Sequence, residues 1–321
     1  MRKIVTPVLA AALVFGLAGA AGAATKVRIG VTQIVEHPAL DAARKGFVDG
    51  LAEAGYVEGK NVDFDFQNAQ GDMSMAQAIA RKFVTARMDL ILAIATPTAQ
   101  AVAHATKDIP IVITAVTDPA SAGLVKSNKL PGTNVTGTSD LNPVADQLAL
   151  VRKLVPGAKR VGIVYNAGET NSLFQVKLAK EAAKELGLAI VEAPVSATTE
   201  ILQATQSIAG KVDAFYVPTD NMVVAGLESL LKVTNEAKIP VIGGEAGTVE
   251  RGALITVGVN YYRLGKQTAR MAVEILKGKK PAAMPIQYQK DLELTVNLKA
   301  AEAIGFKLPK DLVEKADKVI K

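Results

Sequence analysis

The 321-residue sequence contains no cysteine, no tryptophan and only two histidines. Without cysteine there is no disulfide framework, no thiolate metal site, no cysteine nucleophile and no lipid-bearing cysteine to tether the chain to a membrane. His37 and His104 stand apart in the sequence and form no H-E-x-x-H pair, so they point to no metal centre. G-x-S-x-G and G-x-G-x-x-G are also missing. "GYVEGK" at 55–60 is one residue short of a phosphate loop and reads as the turn that ends a helix. Past the first 23 residues no run is apolar for the roughly 18 residues of a membrane span. Aromatic residues make up 4% of the chain. Lys and Arg exceed Asp and Glu by 37 to 31 but build no basic block or aromatic-interleaved stripe, which speaks against nucleic acid as a partner. No motif calls for a cofactor.

Residues 1–23 have the form of a signal peptide: Arg2 and Lys3, an apolar stretch, then the small residues "AGA" at Ala21–Ala23. Cleavage there predicts a mature chain beginning near Ala24, exported and soluble in a periplasm. From residue 26 strands and helices alternate. "KVRIGVTQI" is apolar and β-branched. "PALDAARKGFVDGLAEAG" then opens with proline and carries Leu40, Ala43, Phe47 and Leu51 on one face. "NVDFDFQN", "DLILAIAT" and "IPIVITAVT" continue the series, and a second one follows with "RVGIVYN", "LAIVEAPV", "AFYVPT" and "PVIGGE". Helices are expected near 172–186, 199–209 and 221–237. Such alternation predicts parallel sheets with right-handed crossovers, in two similar α/β halves that meet near residue 141. The strands near 255 and 293 lie outside either series. If each half needs one more strand to finish its sheet, the chain crosses between lobes several times and leaves a cleft at the strands' carboxyl ends.

The polar residues collect where that cleft would be. "QIVEHP", "ATPTAQ", "VTDPAS", "YNAGETNS", "VPTDN" and "GGEAG" all join a strand to a helix. Helix capping accounts for part of this: Ser172 with Gln175 as a capping box, Thr96 before Pro97, Asp118 before Pro119, and Thr219 or Asp220 before the next helix. Glu169, Asn171, Asn221 and Glu245 are surplus to capping. Acids beside amides, hydroxyls and helix N-termini suit a zwitterion, with carboxylates for its ammonium and donors for its carboxylate. On this reading Asp220, supported by Glu169 or Glu245, meets the ammonium. Asn171 and Ser172, or Thr96 and Thr98 on the first lobe, meet the carboxylate. His37 borders the rim, whereas His104 lies within a helix and reads as structural. Tyr165, Tyr216, Tyr261 and Tyr262 would suffice for an aromatic wall. An acid pair doing general acid–base work would instead make the chain a secreted α/β enzyme, and a sensory role would use the same binding chemistry.

With "GVTQIVEHPALDAARKGFVDGLAEAGYVEGKNV", "IATPTAQA", "AVTDPASAGLV", "NVTGTSDL", "VYNAGETNS", "YVPTDN", "VNYYRLG" and "DLELTVNLKAAEAIG" in this order, the sequence resembles the substrate-binding proteins of ABC transporters. The resemblance spans about residues 26–310 and is to the group that includes tryptophan- and tyrosine-type binding proteins. It implies a type I periplasmic binding protein fold: two Rossmann-like lobes with parallel sheets, hinged by three crossovers. Lobe 1 would hold residues 24–141 plus about 259–290, and lobe 2 about 142–258 plus 291–321, with bending near 141, 259 and 290. It further implies capture of an amino-acid-like ligand by a monomer, delivery to a permease in the inner membrane, and no catalysis. Ligand positions carried over are Thr96, Thr98, Asp118, Tyr165, Asn166, Glu169, Asn171, Ser172, Thr219, Asp220, Asn221, Glu245, Asn260 and Tyr261.

Overall fold

The structure, a computed structural model, describes residues 26–321, so the signal peptide expected at 1–23 lies outside the described residues. The first series runs β1 (Val27–Gln33), α1 (Pro38–Glu53), β2 (Val62–Asn68), α2 (Met73–Thr85), β3 (Leu90–Ile94), α3 (Thr96–Ala105), β4 (Ile111–Val116) and β5 (Val135–Ser139). The second begins α4 (Val144–Leu154), β6 (Arg160–Asn166), α5 (Thr170–Glu185), β7 (Ala189–Val195), α6 (Ile201–Ala209) and β8 (Ala214–Val217). It continues with α7 (Asn221–Ala225), α8 (Leu227–Glu236), β9 (Val241–Gly243), α9 (Ala246–Arg251) and β10 (Ile255–Gly258). The chain ends α10 (Tyr261–Leu276), β11 (Gln287–Tyr288), β12 (Glu293–Asn297), α11 (Leu298–Ala303), α12 (Lys310–Glu314) and β13 (Lys318–Ile320).

Two sheets result, in the orders β11-β5-β4-β3-β1-β2 and β13-β12-β10-β9-β8-β6-β7. The first is parallel throughout. The second departs from the expected parallel pattern at one place, where β12 lies antiparallel to β10 with Ile255 opposite Val296. A strand entering directly from the other lobe, without a crossover helix, has no route to a parallel approach. The central strands β3 and β4 are buried along their whole length, as helices on both faces require. The helix expected over 221–237 is two helices, broken at Gly226.

The chain passes between the sheets at 140–143, 259–260 and 289–292. After the second passage α10 returns to the first sheet and lies along α1. Gly46 and Gly265 make this possible: a Cβ on Gly46 would sit 2.0 Å from the Tyr262 carbonyl, and one on Gly265 would sit 2.0 Å from that of Ala43. Side chains lace the passages together. Asn142 Oδ1 accepts from the Val259 N–H at 3.0 Å, and Gln289 Oε1 accepts from that of Asn260 at 2.6 Å. Asn260 also donates to Glu293, which pairs with Arg263.

Candidate functional site

The carboxyl ends of both sheets face each other, and the turns leaving them build the cleft. Ala95, the residue before α3, has φ +80°, and Ala115 has φ +55° where the pairing of β4 with β5 slips register. Left-handed alanines store strain, and such strain gathers at functional sites. Ala115 lines an enclosed inner pocket together with His37, Leu40, Thr117 and Asp140 from the first lobe. Asn171, Thr219, Asn221, Val224 and Glu245 face them from the second, and Tyr261 enters from the crossing.

Four carboxylates are buried among the described residues, Asp140, Glu169, Asp220 and Glu245, and all lie at this cleft. No Lys or Arg is buried there or anywhere else among the described residues. Burial pushes Asp140, Glu169 and Asp220 up from the ordinary carboxylate range, and for Glu169 the nearby Asp220 adds to it. Burial raises Glu245 to about 7. The same burial, helped by Arg251, lowers His37 to about 4 and keeps it neutral. Among the atoms lining the pocket, Asp140 Oδ1, Asn171 Oδ1, Glu245 Oε1 and His37 Nδ1 have no protein partner. Buried polar atoms are ordinarily satisfied, so a cluster of orphans facing one space marks what that space is built to receive. No three acidic or histidine side chains among the described residues lie close enough to hold a metal ion.

Each expected residue has a definite place. Glu245 caps α9 through Oε2, which accepts from Gly247 N–H at 2.6 Å, and turns Oε1 to the pocket. Asn171, Thr219, Asn221 and Tyr261 line the pocket, and Tyr261 donates to Asp140 Oδ2 at 2.6 Å. Asp220 does not line it. Its oxygens accept from Asn166 N–H and Ser172 Oγ, both at 2.6 Å, and from Val223 N–H at 2.8 Å, so Asp220 caps α7 and ties two turns together. Ser172 is the third residue of α5, whose N-cap is Glu169. Its hydroxyl is given to Asp220, and Gln175 reaches Thr219 instead, so no capping box forms.

Glu169 is held by Asn171, Asn221 and Asn166 and faces an outer compartment that Asn166 also lines. Thr96 follows the N-cap Ala95 rather than serving as the cap, and Thr98 donates back to Ile94 and Ala95 carbonyls. Asp118 closes its own turn by accepting from Ser121 N–H. Asn260 belongs to the crossing and caps α10. The aromatic wall does not form: Tyr165 bonds Glu192, Tyr216 bonds Gln147 in the core, and Tyr262 lies on the surface against Asp49. Of the four tyrosines only Tyr261 reaches the inner pocket.

Sequence reasoning missed Asp140 and Thr117. Asp140 is the only acid in the stretch "NVTGTSDL" (134–141), a signal that was present but carried no chemistry until the crossing placed it beside Tyr261. Three long helices at the cleft, α1, α3 and α5, begin without a side-chain cap, leaving backbone N–H groups free for an anion.

Residues 28–320 match the family described as ABC transporter substrate binding protein. A tyrosine-binding protein of Clostridioides difficile (strain R20291) is 47% identical over 276 residues, covering 86% of this chain and 80% of the relative. The structure of an ABC domain in complex with L-Trp from Streptococcus pneumonia superposes with a TM-score of 0.89 at 39% identity, over 92% of this chain and 100% of the other. A ligand-free, open substrate-binding protein of Clostridium difficile, 47% identical over 92% of this chain and 99% of its own, gives a TM-score of 0.70. The two lobes have the type I periplasmic binding protein fold. A match over nearly the whole described chain, on a fold whose cleft gathers unpaired acceptors, places this chain in the ABC transporter substrate-binding protein family, a family of binding proteins and not of enzymes.

Proposed function

We propose that this chain captures an aromatic amino acid between its lobes, outside the cytoplasm, and presents it as a closed monomer to the permease of an ABC importer. The observation that carries the ligand class is the set of buried acceptors without a cation. Asp140 Oδ1, Glu245 Oε1 and Asn171 Oδ1 belong to one pocket, and among the described residues no buried Lys or Arg balances the acids. A ligand ammonium supplies that missing charge and up to three donors. The uncapped starts of α1 and α5, beside the pocket, offer N–H groups to the ligand carboxylate. The relatives whose names specify tyrosine or L-Trp support an aromatic side chain. Hinged closure is supported by the closer superposition on the L-Trp complex than on the open, ligand-free protein, despite the lower sequence identity.

Titration calorimetry with L-tyrosine and L-tryptophan beside their desamino analogues tests the reading. Loss of the ammonium leaves buried acids unpaired, so the desamino acids should bind at least about 30-fold more weakly, and Asp140→Asn should weaken L-tyrosine by a similar factor. Asp220→Asn, whose oxygens already serve three protein donors, should lower thermal stability and leave the preference for the amino acid over its desamino analogue intact. Equal affinity for an amino acid and its desamino analogue would remove the ammonium from the assignment.

A further inference from the structure

The inner pocket is too small for a ring. It has only about 10 Å³ of water-accessible space, enough for an amine and little else. Beyond Asn221, which lines both spaces, an outer compartment opens with about 460 Å³ of water-accessible space. Both lobes build it. Met73 and Pro97 come from the starts of α2 and α3, and Met222 and Ala225 from α7. Gln70 and Ser196 supply polar groups at its solvent rim.

We infer that this outer compartment is the side-chain subsite, taking the ligand's aromatic ring between Met73 of the first lobe and Met222 of the second. The inference rests on the aromatic amino-acid reading above and adds where the ring goes and what selects it. Size decides first: the amine fits within and the ring fits only outside. Chemistry agrees. Thioether side chains are unbranched and polarizable, adapt to flat surfaces and make favourable contacts with rings. Met73 is 43% exposed, a large apolar side chain on the compartment's first-lobe wall. Gln70 and Ser196 at the rim give a phenol hydroxyl or an indole N–H a partner at the wet end of an otherwise apolar body. Because the two methionines belong to opposite lobes, a ring between them touches both at once and adds to the contacts that hold the cleft closed.

The test is methyl NMR of full-length mature protein labelled at the methionine methyls, titrated with L-tryptophan and with L-tyrosine. Closure moves the Met73 and Met222 signals alike for either ligand, so the difference between the two titrations reports the ring current. Both signals should differ between the ligands, and that of Met271 in the core should not. Met222→Ala should in addition weaken L-tyrosine about tenfold, as loss of apolar contact in a ligand pocket does. If the amino acids bind and the Met73 and Met222 signals are the same for both ligands, the subsite is wrong and the ligand reading stands. If neither amino acid binds, both fall together.

Discussion

At Glu245 one oxygen caps a helix while the other faces the cleft without a partner, and burial raises the acid to about 7. An unfolded glutamate titrates near 4.5, so between pH 4.5 and 7 the folded protein holds a proton that the unfolded chain has released. Its contribution to stability is complete below that window and is lost as the pH rises through it, amounting to about 3 kcal/mol. His37 acts in the opposite sense. It stays neutral down to about 4, so its contribution is lost as the pH falls below 6.5. Between pH 8 and 6.5 the buried acids take up protons that the unfolded chain does not, and unfolded His37, only half protonated at pH 6.5, offsets a small part of that gain. Ligand-free protein should therefore melt at a higher temperature at pH 6.5 than at pH 8. In Glu245→Gln the rise should shrink, with the variant gaining most at pH 8. Calorimetric melts across that range check it, and identical profiles would place the Glu245 proton elsewhere. The same residue shows where sequence reasoning stops: a glutamate is a poor cap and read as surplus to capping, yet in the structure Glu245 does cap α9, and only its second oxygen is left over for the pocket. Asp220 and Ser172 were ambiguous for the opposite reason. A cap and a ligand contact use the same atoms, and only the positions of Asn166 and Val223 show that the protein itself occupies them.

The helix pair α1 and α10 shows how an element far along the chain can belong to the first lobe. Glycines where the helices touch, Gly46, Gly50 and Gly265, let them approach until the backbone of one lies against the other, with no room left for a Cβ. Gly46→Ala would drive a methyl into the Tyr262 carbonyl, and the helices must part to admit it. Overpacking of this kind costs about 1–3 kcal/mol. The midpoint of urea unfolding should fall accordingly, while Gly55→Ala, at a turn with open space around it, tests the conformational cost alone. An unchanged midpoint in Gly46→Ala would mean that the pair slides freely. Apolar, β-branched runs made β1, β3, β4 and β6 legible from sequence. The five-residue β5, rich in Thr and Gly, and the two-residue β11 were not, because their pattern is set by neighbours across the sheet and not by their own residues. The Gly226 break between α7 and α8 was likewise hidden within one apolar periodicity.

On the scale of the whole molecule the three passages make each lobe discontinuous in sequence. The first sheet takes its edge strand from Gln287–Tyr288, and the second its outer strands from residues 293–320. A protein is made from one end, so this wiring also fixes a timetable. When Gly258 has left the ribosome, the first sheet still lacks β11 and has α1 bare along the face that α10 covers. The second lacks both β12 and β13. A chain ending at Gly258 should show no cooperative melting transition by circular dichroism, and a sharp one would show that the first lobe stands without α10. For the full chain the consequence is a long wait in an unfinished state: nine-tenths of the polypeptide must exist before either half can settle, and the two halves then mature almost together.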